Sequence, residues 1–236
     1  MKSADSADVE LDQLIGLFYA APHEFGRFTK IKPTEMPAIS RQLLAHDHHM
    51  TVTVERFHDC QVDLQVLQSR TDGDHYSRQI VLTRQTDHRV VMFGIVRLDL
   101  SLLTKPVRVQ VQKQELPLGR ILIEQDVLRV VKLVDLFAIV PGAELTRWLH
   151  GTLTKPTNST GELPASQRRV PQLSGAQDKF DPHVCYGRTA LIYCDGRPAI
   201  ELLEIVSENC NVESLDIRAD QQRNFPRLSH PPRRID

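Results

Sequence analysis

The chain has 236 residues, of which 41% are hydrophobic and 25% charged, and its formal net charge is −1. This is the make-up of a soluble globular protein with length for one large domain, and the near-zero charge excludes the broad basic face that nucleic acids or acidic membranes select. No apolar run reaches the roughly 18 residues of a membrane-spanning helix, and the acidic start "MKSADSADVELDQL" lacks the basic head and apolar core of a signal peptide, so a cytoplasmic location is expected.

In chain order, "VELDQLIGLFYA" (9–20) places Val9, Leu11, Leu14, Ile15, Leu17 and Phe18 at helical spacing, which predicts an amphipathic helix. "HEFGRFTKI" (23–31) reads as a turn into a short strand, and 33–49 as a helical run broken by proline. Four strand candidates follow at 50–57, 61–68, 76–84 and 89–98, rich in Val, Ile, Thr and Phe. The turn residues "DGD" (72–74) and "TDH" (86–88) separate the later ones, and such short connections imply antiparallel pairing. Residues 103–114 fit either helix or strand. "PLGR" (117–120) reads as a turn leading to a strand at 119–124, followed by an apolar run (127–140) and a short helix from about Pro141.

The composition then changes. Residues 151–182 are rich in Pro, Ser, Thr and Gly and read as a long, flexible insertion. Strands at 187–194 and 198–206 are joined by Asp195-Gly196, a strong hairpin signal. The expected organisation is a single domain over 9–207, with irregular termini at 1–8 and 208–236.

Strand parity isolates two charges. In "YSRQIVL", Arg78 shares a face with Tyr76, Ile80 and Leu82; in "PAIELLEIV", Glu204 shares one with Ile200, Leu202 and Val206. A charge on a covered sheet face costs several kcal/mol unless paired. Three arrangements satisfy it: an Arg78–Glu204 ion pair, a partly wet face, or a ligand cavity in which the guanidinium clamps a carboxylate and Glu204 meets a hydroxyl.

Other candidates carry less. His46, His48 and His49 beside Asp47 invite a metal, but adjacent strand residues point to opposite sides, so a solvated turn is the expectation. Cys60, Cys185, Cys194 and Cys210 form no C-x-x-C pair and read as structural thiols. Glu55–Arg56 and Arg168–Arg169 read as surface charge. No phosphate-binding glycine loop or nucleophile elbow is present, and no metal is expected.

Taken together and in order, "HEFGRF", "MTVTVERF", "YSRQIVL", "VVMFGIVRL", "PLGRIL" and "YGRTALIYCDGRPAIELLEIV" resemble the chorismate pyruvate-lyase (4-hydroxybenzoate synthase) family over roughly 11–140 and 186–207. The resemblance implies an α+β fold: a single antiparallel sheet of about six strands with helices packed on it and helical flaps over a buried pocket. It implies release of pyruvate from chorismate to leave 4-hydroxybenzoate, without cofactor or metal. By the same resemblance Arg78 holds the ring carboxylate, Glu204 accepts from the ring hydroxyl, and Leu118 walls the pocket. Phe25 falls at a binding position where the family often has methionine. A second cation for the side-chain carboxylate is expected among Arg97, Arg120 and Arg188. The implied partners are chorismate and its aromatic product, with no nucleic acid, no membrane insertion and a monomeric state.

The competing reading is a non-catalytic, aromatic-acid-binding sensor domain of the same fold. Sensors of that kind carry an N-terminal winged helix, for which the roughly 25 residues before the first strand leave no room, so the enzyme reading is preferred. A binding or scaffold role that uses the 151–182 insertion is a third possibility.

Overall fold

Long alternating apolar runs make the frame of the molecule a sheet. The structure is a computed structural model that describes residues 9–150, 152–153, 173–174 and 184–207. Its main sheet contains β1 (Gly26–Lys30), β2 (Val62–Asp72), β3 (His75–Arg84), β4 (Val90–Asp99), β5 (Arg129–Pro141), β8 (Cys185–Cys194) and β9 (Arg197–Val206). The spatial order is β1-β5-β8-β9-β4-β3-β2, and every pairing is antiparallel. The α+β class therefore matches the expectation, with seven strands in place of about six. Asp195 and Gly196 turn the β8–β9 hairpin with φ of 50° and 77°, as a type I′ turn requires. Two short strands, β6 (Thr152–Leu153) and β7 (Leu173–Ser174), pair separately. The rest of the 151–182 insertion and both termini lie outside the described residues.

The helices are α1 (Leu11–Gly16), α2 (Pro22–Phe25), α3 (Ala38–Leu44), α4 (Met50–His58), α5 (Lys105–Lys113), α6 (Leu118–Glu124) and α7 (Ala143–His150). Two expected strands are thus helices. Residues 50–57 look strand-like because Thr and Val alternate, yet Met50, Thr51 and Val54 are the buried residues, a helical spacing. Tertiary packing of that stripe overrides the β-branched preference. Residues 119–124 also belong to a helix, and its buried set Leu118, Gly119, Ile121 and Leu122 follows the same rule. "PLGR" is consequently a helix start, with Pro117 as its N-cap. The ambiguous 103–114 stretch is helical, burying Val107 and Val111, and the apolar run 127–140 is strand β5. In 33–49 only Ala38–Leu44 is α-helical, after a 3₁₀ turn at Pro33–Glu35.

The sheet divides two cores. One face carries Tyr76, Ile80, Leu82, Met92, Val96, Leu202 and Val206, roofed by α3, α4, α5 and α6 through Leu43, Val54, Val111 and Ile121. The other carries Val81, Phe93, Ile95, Leu203 and Ile205 under α1, α2 and α7, with Leu14, Phe25 and Leu149 packed in. No helix among the described residues is long and apolar enough to cross a membrane.

Candidate functional site

The roofed face holds the site. The register places Ile80 opposite Gly94, Gly94 opposite Glu204, and Glu204 opposite Arg188, in one row across β3, β4, β9 and β8. The next row runs Arg78, Val96, Leu202 and Ala190. Gly94 carries no side chain in the first row, and between it and the roof lies a cavity of about 30 Å³. Its walls include Ile80, Val96 and Glu204 from the sheet, Met50 and Thr51 from the start of α4, and Pro117, Leu118 and Gly119 from the start of α6. Leu118 and Glu204 therefore face one cavity. Arg78 lies on the same face beside it: its neighbour along the strand, Ile80, and across the ladder, Val96, are both wall residues.

Arg78 is wholly buried, and none of its three guanidinium nitrogens has a hydrogen-bond partner among the described residues. Burial lowers its pKa, opposed by the nearby hydroxyl of Tyr76. That hydroxyl lies near enough to favour the charged guanidinium, and it accepts from Gln114 Nε2 at 2.8 Å, which ties the end of α5 to the sheet. A buried, unpartnered guanidinium is the costliest polar arrangement in this core.

Arg188 is equally buried, and all three of its guanidinium nitrogens are hydrogen-bonded. Its Nε donates to Glu204 Oε2 at 2.7 Å. Nη1 donates to the carbonyl of His46 at 2.6 Å, to His46 Nδ1 at 3.1 Å and to the Leu44 carbonyl at 3.4 Å, and Nη2 donates to the His48 carbonyl at 3.0 Å. The Arg78–Glu204 ion pair is thus not formed, because Glu204 belongs to Arg188.

The His46–His49 turn is exposed at Asp47 and His48, as a solvated turn should be, while His46 and His49 are half-buried against the fold. His46 Nδ1 accepts from Arg188 and from the His48 amide, while Nε2 donates to the Leu43 carbonyl at 2.8 Å, which fixes a neutral tautomer. His49 Nε2 accepts from Arg129 Nε at 2.7 Å. Burial first, and then the neighbouring arginines, push both histidines down to about 4. Their lone pairs are spent on guanidinium groups, and no metal-binding cluster occurs among the described residues. His49 also packs on the roof, where a Cβ on Gly119 would lie 3.2 Å from His49 Cβ and from Thr51 Oγ1. Arg120 on α6 is ion-paired to Glu55 on α4, which locks the two roof helices together, so Glu55 is not idle surface charge.

The structure brings Leu118 and Glu204 together and sets Arg78 beside them, but it places Phe25 elsewhere. Phe25 stacks with Tyr19, Phe28 and Phe93 under the opposite face of the sheet, away from the cavity. Of the three second-cation candidates, Arg97 pairs with Glu201, Arg120 with Glu55 and Arg188 with Glu204. Sequence reasoning passed over Met50, Thr51 and Gly94. A glycine within an apolar strand signals close approach or open space, and Met50 with Val54 has helical spacing, so both signals were present. Compared with known proteins, the sequence matches no family model and no curated relative.

Proposed function

We propose that this protein binds a small cyclic or aromatic acid carrying a hydroxyl at its far end, and that it is a chorismate pyruvate-lyase. The observation that carries the reading is Arg78, a buried guanidinium without a hydrogen-bond partner among the described residues, beside an apolar cavity whose polar wall is Glu204. An anion at Arg78 recovers the desolvation cost through a charge-assisted, bidentate bond that low dielectric strengthens. Two strands and two residues separate Arg78 from Glu204, ~12 Å between backbones by sheet spacings. With both side chains reaching inward, that span suits a flat ring bearing a carboxylate at one end and a hydroxyl at the other.

In the proposed reaction the ring–oxygen bond to the enolpyruvyl group breaks, the neighbouring ring carbon loses its hydrogen, and chorismate becomes 4-hydroxybenzoate and pyruvate. Aromatisation makes the step strongly downhill, so the protein contributes orientation and exclusion of water. Arg78 holds the ring carboxylate, Glu204 accepts from the ring hydroxyl, and Leu118 and Met50 keep the site dry. A cavity of about 30 Å³ has room for about one water. The ring therefore enters by displacing wall side chains, and Met50 of the roof and Met92 of the sheet are the most deformable of them.

A second reading, an aromatic-acid-binding domain without turnover, is favoured by one observation: Arg97, Arg120 and Arg188 are each committed to a carboxylate of the protein, leaving none of the three for the side-chain carboxylate of chorismate. Incubation with chorismate, following pyruvate and 4-hydroxybenzoate, separates the two. Equal amounts of both products support the lyase; binding of 4-hydroxybenzoate without product supports the binding domain; neither overturns both. Arg78→Ala should lower ligand affinity by ten- to a hundredfold or more, the equivalent of ~1.5–3 kcal/mol.

A further inference from the structure

Arg188 does not itself line the cavity, yet every nitrogen of its guanidinium is used in one particular way. One bond goes up the sheet row to Glu204, and the others go to the 44–48 turn that delivers Met50 and Thr51 to the roof. We infer that Arg188 is a positioning residue for the site: it fixes the Glu204 carboxylate by Oε2, leaves Oε1 for the ligand hydroxyl, and ties that carboxylate to the turn that sets the roof. The inference rests on the reading of Arg78 and Glu204 as the two ends of a ligand site.

The geometry supports this over plain structural pairing. Glu204 lines the cavity and retains slight exposure while Arg188 does neither, so the carboxylate is the partner available to a ligand. Three carbonyls on the turn and one carboxylate oxygen fix the guanidinium plane from two sides. The Glu204 carboxylate receives a single charge-assisted bond from Nε of this fixed guanidinium, and it cannot turn Oε2 away without breaking that bond. His46 supplies a further acceptor, and its Nε2–H bond to the Leu43 carbonyl keeps the turn in register. Glu204 and the start of α4 therefore keep a fixed separation, and it is across that gap that a ring must fit.

The test uses two ligands that differ by one hydroxyl. Benzoate engages Arg78 only, whereas 4-hydroxybenzoate engages Arg78 and Glu204. By titration calorimetry the wild-type chain should bind 4-hydroxybenzoate at least tenfold more tightly than benzoate. In Arg188→Met that ratio should fall to within threefold, while benzoate affinity stays within threefold of wild type. An unchanged ratio overturns the inference, and so does an equal loss of affinity for both ligands, which is what a merely structural role produces. Wild-type protein that binds neither ligand overturns the underlying site reading, and the inference with it. Should Arg188→Met not fold, a crystal structure of the wild-type chain with 4-hydroxybenzoate decides. The ligand hydroxyl is expected on Glu204 Oε1 with Oε2 still on Arg188 Nε; a hydroxyl bound elsewhere, or a Glu204 turned off Arg188 to reach it, overturns the assignment.

Discussion

Arg78 and Arg188 are two arginines of equal burial on the same covered face, in adjacent rows of one sheet. One has no hydrogen-bond partner among the described residues, and the other has a carboxylate, three carbonyls and an imidazole. The contrast separates two reasons for burying a charge. Arg188 is wired into the fold, so its desolvation is offset at once. In the proposed reading the desolvation of Arg78 is offset when an anionic ligand arrives, so its charge serves binding rather than stability.

The sharpest way to break this comparison is to remove each charge in turn. Arg188→Met strands Glu204 in the core and strips the turn of its donors, and should cost about 3–5 kcal/mol in urea denaturation. Arg78→Met removes a guanidinium that has only the Tyr76 hydroxyl acting in its favour among the described residues, and should stabilise the unliganded protein by about 1–3 kcal/mol, the order of the desolvation penalty it relieves. Opposite signs support the distinction. Destabilisation of similar size by both would mean that Arg78 is a structural charge after all.

Acid should weaken the wired side. His46 and His49 sit at about 4 in the folded protein against an ordinary 6.5, first because burial disfavours the charged ring and then because protonation would place a cation against Arg188 or Arg129. Between those values the unfolded chain binds protons that the folded one does not, so stability falls as pH drops from about 6.5 to 4. Urea midpoints at pH 7.5, 5.5 and 4.5 should decline in that order. His46→Gln, which still offers an acceptor, should flatten the decline; a level wild-type profile would contradict two neutral, half-buried histidines.

The comparison also shows what a sequence can reveal. Parity alone put Arg78 and Glu204 on apolar faces, because a period of two needs no tertiary information. Arg188 shares a face with Tyr186, Ala190 and Ile192 by the same rule, but its partner was hidden. A regular two-residue hairpin at Asp195-Gly196 pairs Arg188 with Leu203, and the bulge between Ile192 and Tyr193 steps the register to Glu204. The local mark of this bulge is Pro198, which has no N–H to give the ladder, but it does not say by how much the register steps. The roof was hardest to read: "MTVTVERF" and "LGRILIE" are short, and each has enough β-branched or aliphatic residues to pass for a strand until the sheet below claims one helical face. Phe25 illustrates the opposite failure, since a motif before the first strand gave its position along the chain but not the side of the sheet that its ring occupies.

The smallest predicted effect tests whether that roof is held as firmly as the wired arginine implies. An alanine in place of glycine inside a helix ordinarily gains up to ~1 kcal/mol. At Gly119 the added methyl meets Thr51 Oγ1 and His49 Cβ, each at 3.2 Å. Thr51 can turn its hydroxyl away, but His49 is tethered through its ring to Arg129, and Arg120 to Glu55 keeps α6 from sliding off α4. The contact should therefore outweigh the propensity gain, and Gly119→Ala should lose about 1 kcal/mol, measured by urea midpoint, by the usual cost of overpacking. A gain in stability instead would show that α6 yields freely, and that only the sheet half of the site is preorganised.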